Sequence, residues 1–588
     1  MSTSKRSTFA ALALGLSLVA AACGSDKAAV STPTDKPATE ATTATTDAGT
    51  VTTDSTPGDS TPSTDSGTAT TEPATAAMRI TYDIAEAAVW DDATPIVADD
   101  FICEYDAVMG TVGSLSTTGY DQILSIVEGS SPKQFVVEFK TVYAPYRGLF
   151  SGPIKKDAVA DCNDISGDFQ TELPFSNRPY KIESWDPNQL VLVANENYWA
   201  DDKAVVPKVV IVPKADPETE IASLLASEVD FIYPQYSPDI AAAAAADPGV
   251  KVSVQFGGDF EALYFQQQEG PFADPVFRQA FAQSIDRDAL LQQIYAPIVE
   301  GAKVLNCGPI VPGKYCDDAF VDTYDAAAAE TLLTGDGWAK NGDGMWAKDG
   351  AAAPEIRWMI NAGNSRRENT QAYLIPLLQK AGFNVVADNC EAECVFQKRL
   401  PSLDYDLAMY ISTAPPDPQY LTSSFSCDQI PTEANEFAGQ NSQGWCNEEA
   451  SALLAKADAT VDADARATLI KQAIALMAKD WVLLPTFQFP KSGIYRTDKV
   501  GGPVEGDLNN YQAFINFNQW TDVDGDGQIV IGAEQWPGCL NPITECANSS
   551  WYVWTIAFPT GMGVYDTTND ADYKLTPMMA SEPVVEIL

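Results

Sequence analysis

The chain has 588 residues, a length that predicts three or four domain-sized units, and its 36 Lys and Arg against 81 Asp and Glu leave a formal net charge of −45. Such acidity excludes nucleic acid and anionic membrane surfaces as partners, because both would repel it. Histidine is absent, which removes zinc-hydrolase motifs, Ser-His-Asp triads and imidazole general bases; with no Gly-x-Ser-x-Gly elbow either, the chain is not expected to be an enzyme.

Lys5 and Arg6 precede an apolar run over residues 9–22, and Cys23 follows three alanines, so residues 1–22 read as a signal peptide with a small-residue cleavage site. No other stretch is long and apolar enough to cross a bilayer. From residue 24 to 77 the composition collapses to Thr, Ser, Ala, Asp and Pro. It cannot bury enough surface to offset its chain entropy, and 23–77 reads as a disordered tether.

Beyond the tether, strand-like runs alternate with helical patterns, which predicts α/β layers. Residues 241–246 read as a helix face, 276–291 and 326–333 as helices, and 384–387 and 407–411 as short buried strands. The clearest helix is 464–479, with Leu469, Ile470, Ala473, Ile474 and Met477 on one stripe. The cysteines after Cys23 are even in number and fall as near neighbours: Cys307 with Cys316, Cys390 with Cys394, Cys427 with Cys446, and Cys539 with Cys546. Cys103 and Cys162 are left to pair across a longer loop, giving five expected disulfides in an oxidising compartment. The alternative, a metal on Cys390 and Cys394, has no second pair of soft ligands nearby in sequence.

Four groups of residues carry a resemblance. Ala88-Val89-Trp90-Asp91-Asp92-Ala93-Thr94-Pro95 with Ala98-Asp99-Asp100-Phe101 resembles the signature of the family 5 extracellular solute-binding proteins that feed peptide and nickel ABC importers. Pro179-Tyr180 with Asn195-Glu196-Asn197-Tyr198-Trp199, Phe277-Arg278-Gln279-Ala280 with Ser284-Ile285-Asp286-Arg287, and Asp404-Tyr405-Asp406-Leu407 with Asp417-Pro418 resemble later hallmarks, in order. Ala93 stands where a turn glycine is usual, and Arg178 replaces a glycine before Pro179. A Cβ resists positive φ, so either turn is expected to be remodelled. Ala20-Ala21-Ala22-Cys23 resembles a lipobox with Ala20 in place of leucine, which implies a lipid on Cys23; plain secretion is the alternative.

The resemblance implies an α/β, two-lobed, type II periplasmic-binding-protein fold with an extra domain. The family's opening segment is missing before Met78 and is resembled at the other end, by residues 528–537, Leu540-Asn541-Pro542 and 575–583. The chain is therefore read as circularly permuted, since domain termini often lie close together at the surface and tolerate rejoining; a truncated second copy is the rival. The expected units are the extra domain 78–166, lobe one 167–268 and 491–527, lobe two 269–490, and lobe one's opening segment 528–588. At the joint, Asp522, Asp524 and Asp526 are spaced like the start of a calcium loop, but position 533 is alanine and Glu534 falls one place late for the loop's last ligand. An acidic solvated turn is the first reading and structural calcium the second; no other cofactor is expected.

By resemblance the ligand sits between the lobes, near Asn548, Ser549, Trp551, Tyr552, Tyr264 and Gln266 from lobe one and Asn364, Arg366, Arg367, Tyr410, Ser412, Asp417 and Tyr420 from lobe two. One of Arg366 and Arg367 is expected to hold a ligand carboxylate. The aspartate with which peptide-binding relatives neutralise the ligand amine is Ala414 here, leaving Asp417 as substitute or a ligand without that amine. The expected function is that of an exported, monomeric lipoprotein that captures a peptide-like or similar polar solute and delivers it to an ABC permease. The alternative is a cell-surface binding or signalling module on the same fold.

Overall fold

Residues 78–83 alternate fully buried and half-buried side chains, the period of a strand with one face in a core. This is β1 (Met78–Asp83) of the computed structural model, which describes residues 75–588 apart from 115, 215, 235–236, 297–298, 300, 322, 392–393, 433–434, 436–438, 505–515, 534–535, 545–562 and 567–573. The stretches read above as signal peptide and tether, with Cys23 between them, lie outside the described residues up to residue 74.

Two main sheets form. β2 (Ile123–Glu128) and β3 (Gln134–Phe139) join β1 in an antiparallel sheet. The next strands are β4 (Tyr180–Asp186), β5 (Gln189–Ala194), β6 (Lys208–Pro213), β7 (Phe231–Ile232) and β8 (Val250–Phe265). They are followed by β9 (Glu355–Met359), β10 (Asn384–Ala387), β11 (Leu407–Thr413), β12 (Leu483–Arg496) and β13 (Gln528–Ala533). These ten make one mixed sheet, ordered β10-β9-β11-β8-β12-β7-β13-β6-β5-β4. The chain ends with β14 (Val584–Ile587), which pairs antiparallel with β1 and completes the four-stranded sheet β2-β3-β1-β14.

The two long strands β8 and β12 pair antiparallel from Leu483 opposite Tyr264 to Arg496 opposite Val250. β11 attaches at one end of this ribbon and β7 at the other, so the ribbon carries the chain from one half of the sheet to the other. Alternate residues of β8 serve different cores. Leu263 and Phe265 pack with Phe277, Phe281, Trp358 and Phe383, while Phe260, Ala262 and Tyr264 pack with Leu421, Leu454, Ile474 and Met477. A further core joins Trp90, Phe101 and Phe135 to Trp520, Ile529 and Ile531.

The expected helices and strands are present, with two corrections. Residues 463–479 form a helix whose N-cap Asp462 accepts from the Ala465 N–H, and Ile470, Ala473, Ile474 and Met477 are buried. Residues 276–291, expected as one helix, are two: Pro275–Gln283 and Arg287–Ile294. Asp286 ends the run by capping the second helix through its side chain, which a continuous helix would forbid. The second correction concerns Ala93, which keeps the left-handed turn at φ 67 instead of remodelling it. Its N–H donates to Trp90 O, the Trp90 N–H to Thr94 O, and the Trp90 indole to Asp100 at 3.1 Å. These bonds hold a conformation that costs an L-residue about 1–2 kcal/mol.

β13 lies inside the sheet, parallel to both β7 and β6, with Ile529 and Ile531 buried. Four of the expected disulfides are present, Cys103–Cys162, Cys307–Cys316, Cys390–Cys394 and Cys427–Cys446. Cys539 is disulfide-bonded as well, and its expected partner Cys546 lies outside the described residues.

Deleting residues 523–588 takes an interior strand from one sheet and an edge strand from the other, and the expected result is loss of soluble, cooperatively melting protein. A truncated protein that melts like the full chain would show that β13 is dispensable. A second prediction concerns Glu104, which burial pushes up to about 7 although its carboxylate accepts from the Tyr120 hydroxyl at 2.8 Å. The folded state therefore holds this proton more tightly than the unfolded state, so the associated stability is full below the ordinary carboxylate range and lost as pH rises through about 7. Denaturant melts from pH 4 to 8 should fall less steeply for Glu104→Gln than for the unsubstituted protein.

Candidate functional site

The face of β8 that carries Phe260 and Tyr264 opens on a cleft of about 500 Å³. β11 lies next to it, with Ser412 opposite Phe260 and Tyr410 opposite Ala262. That register stacks the Tyr264 and Tyr410 rings at 4.1 Å and 9° and brings the Tyr264 hydroxyl 2.7 Å from Ser412 Oγ. Gln443 Nε2 donates to the Tyr410 hydroxyl at 3.2 Å. Burial raises the phenols of Tyr264, Tyr410 and Tyr420, so all three stay protonated as donors at neutral pH. The Tyr420 hydroxyl and Gln443 Oε1 are buried with no hydrogen-bond partner among the described residues, and polar groups so placed gain from a ligand that pairs with them.

The opposite wall comes from a distant part of the chain, Arg147, Gly148, Leu149 and Ser151, with Tyr565. Arg147 is the one charged residue lining the cleft among the described residues. Its guanidinium lies 4.8 Å above the Tyr565 ring and 3.5 Å from Glu582, whose side chain is largely exposed. The cleft thus joins aromatic surfaces, hydroxyl and amide groups, and a single cation.

With that geometry in view, residues 66–432 match the family model of the bacterial extracellular solute-binding proteins, family 5 Middle. The chain belongs to this family. Among curated relatives, Protein XP55 of Streptomyces lividans is 27% identical over 344 residues, covering 58% of this chain and 61% of that protein. The oligopeptide-binding protein OppA of Mycobacterium tuberculosis is 26% identical over 281 residues, 46% of this chain and 47% of OppA. The chain thus spans about half to three fifths of these relatives. Among solved structures, the periplasmic EDTA-binding protein EppA superposes with a TM-score of 0.68 at 20% identity, covering 76% of this chain and 85% of EppA. The oligopeptide-binding protein AppA of Bacillus subtilis, solved with a nonapeptide, gives 0.63 at 20% identity over 76% and 87%. These likenesses give the fold, two lobes of the type II periplasmic-binding-protein class.

Of the residues expected at the site, Tyr264, Tyr410, Ser412 and Tyr420 line the cleft together. Asn548, Ser549, Trp551 and Tyr552 lie outside the described residues. The others do different work. Asn364 caps the helix Ser365–Ala381 by accepting from the Arg367 N–H at 3.1 Å. Gln266 shapes its own turn, accepting from the N–H groups of Gln268 and Glu269 and donating to Leu403 O. Asp417 is held by the Arg466 guanidinium.

Arg366 and Arg367 are the main correction. Both are buried against the carboxylate of Glu261, at 3.0 and 2.6 Å, on the face of β8 that points away from Phe260 and Tyr264. Arg366 also lies 4.5 Å from the Phe489 ring centre, and Arg367 pairs with Asn361. Burial alone would raise the Glu261 carboxyl, but the two guanidiniums overcome it and hold it below its ordinary value. The protein's own carboxylate takes the place assigned to a ligand's. Arg147, Gln419, Gln443 and Tyr565, which do line the cleft, escaped sequence reasoning; nothing marks one cation among 36 as cleft-facing before the fold is known.

The acidic segment 522–527 forms a tight turn. Asp522 accepts from the Gly525 and Gly527 N–H groups, both at 2.7 Å, and Lys499 pairs with Asp524. The three carboxylates lie within 4.8 Å of one another.

Glu261→Ala leaves two buried guanidiniums without their carboxylate and should lower stability by about 3–5 kcal/mol in urea titrations, with Arg366→Ala and Arg367→Ala destabilising as well. Stability unchanged in all three variants would return the arginines to a ligand-facing role.

Proposed function

We propose that the protein is an exported binding protein, tethered to the outer face of the cell membrane through a lipid on Cys23, that captures a peptide-like or similarly sized polar solute and delivers it to an ABC importer permease, with no catalytic step. The observation that carries this reading is the cleft of about 500 Å³ walled by two distant parts of the chain. Its volume is that of a small-ligand site, and its aromatic faces with a few polar groups suit a flexible polar solute. The OppA and AppA likenesses support a peptide-like solute.

Arg147 narrows the chemistry: the solute meets the cleft with an anionic group. Ala414 is buried and Asp417 is held by Arg466, so among the described residues a free amine finds no carboxylate in the cleft wall. Mass spectrometry of small molecules extracted from purified protein, paired with melting-temperature shifts across a panel of short peptides, tests the reading. A co-purifying polar acid, or a shift from peptides with a free carboxylate that Arg147→Ala weakens by about 1.5–3 kcal/mol, is the expected result. An empty extract together with no shift from any peptide would overturn it.

We also infer that the chain is a circular permutant of its family. The Leu588 N–H donates to Ala77 O at 3.0 Å, so the last residue lies beside the first strand, and β13 sits between strands far earlier in sequence. A variant that joins residue 588 to residue 78 through a short linker and opens the chain at the 523–527 turn should keep the melting temperature within a few degrees. A variant that cannot fold would contradict the inference.

A further inference from the structure

Gln443 is only 3% exposed, yet half of its amide is unused. Its Nε2 donates to the Tyr410 hydroxyl at 3.2 Å, while its Oε1 has no partner among the described residues. The buried Tyr420 hydroxyl has none either. Both residues line the cleft, beside the stacked rings of Tyr264 and Tyr410. An unpaired buried polar group is costly to keep, and one set in the wall of a cleft points to a ligand that pairs with it.

The backbone that carries each group is fixed. The Gln443 oxygen accepts from the Gln267 N–H at 2.9 Å, the Ser442 oxygen accepts from the Tyr405 hydroxyl at 2.7 Å, and the Gln268 side chain donates to the Gly444 oxygen. Tyr420 opens the helix Tyr420–Phe425, and just before it the Gln419 N–H donates to Asp417 at 3.0 Å, itself gripped by Arg466. Supports of this kind hold a binding group ready before the ligand arrives.

The chemistry of the missing partner follows from the two groups. Burial raises the Tyr420 phenol, so it keeps its proton and offers it to an acceptor. Gln443 Oε1 requires a donor; turned end for end, the same amide would present a donor in its place. A partner that carries a donor and an acceptor side by side satisfies either arrangement. An ammonium carries no acceptor, and with no carboxylate lining the cleft among the described residues it would lose its water without gaining a counter-charge. A carboxylate has no N–H for Oε1. An amide has both.

We propose that Gln443 and Tyr420 receive an uncharged amide of the solute, its N–H on Gln443 Oε1 and its carbonyl on the Tyr420 hydroxyl. The assignment rests on the solute-capture reading above and deepens it: the solute is an acylated amino acid or peptide, with one amide buried here and its carboxylate at Arg147.

Titration calorimetry on the full exported chain tests this with N-acetyl-Ala-Ala-Ala and with the esters in which each amide N–H in turn is replaced by oxygen. One of these esters is expected to bind about tenfold or more weakly than the amide, the scale of one buried hydrogen bond left unmade. In Gln443→Met the amide peptide should weaken by a similar factor, and the difference between it and that ester should vanish. Tyr420→Phe should also weaken the amide peptide, while the melting temperature without ligand does not fall, because its hydroxyl has no protein partner to lose. A lower melting temperature for unliganded Tyr420→Phe would show a structural role and overturn the assignment. So would an ester penalty that survives in both variants. Esters that all bind like the amide, in a manner that Arg147→Ala still weakens, would overturn the amide site and leave solute capture standing. If neither the amide peptide nor any ester binds the unsubstituted protein, the peptide reading fails and this inference with it.

Discussion

A carboxylate buried in a strand shared by both halves of a sheet cannot stand alone, and Glu261 meets that constraint with two guanidiniums from the helix Ser365–Ala381. Two residues earlier on β8, buried Asp259 faces Lys491 of β12 at 3.6 Å, the other strand of the crossing ribbon. Ionic groups in such places do little for net stability compared with apolar packing, but losing one partner leaves a buried charge uncompensated and is strongly destabilising. A one-residue slip of β8 would turn Glu261 toward the cleft and Tyr264 away from it. The ion cluster behind the ribbon thereby goes with the aromatic wall in front of it.

From that wall outward the site is assembled by register. Tyr264 can stack on Tyr410 and reach Ser412 only because β11 pairs with β8 as it does. The facing wall belongs to a part of the chain that enters the fold more than a hundred residues earlier, with Tyr565 arriving from the far end. Distant segments converging on one cavity fit a receptor that changes its hold on a solute as its parts move.

Much of this was legible in the sequence, for reasons that differ by residue. Apolar stripes placed the helix at 463–479 within a residue, because burial imposes the period directly. The sequence resemblance of residues 528–533 to an opening strand pointed to an interior position, and β13 has one. Near spacing paired the cysteines, where a short loop leaves few competing partners. Reading failed where an outcome depends on a partner distant in sequence. The adjacent arginines 366 and 367 look like a ligand clamp until Glu261, about a hundred residues away, is seen to fill them. Asp417 looks available until Arg466 is placed. Asp286, as a side-chain cap, divides a helix whose apolar period alone runs on, and Ala93 keeps a glycine's turn because hydrogen bonds around Trp90 hold it.

Capture in the cleft makes one localised demand on the backbone: the segments that touch the solute must become harder to open when it is bound. Hydrogen exchange of the protein with and without a saturating solute reads this directly. Binding between the two walls predicts slowed exchange in residues 147–151 and 410–425 at once, together with the β8 segment around Phe260 and Tyr264. Slowed exchange on one wall alone, or at segments remote from both, would contradict capture at this site.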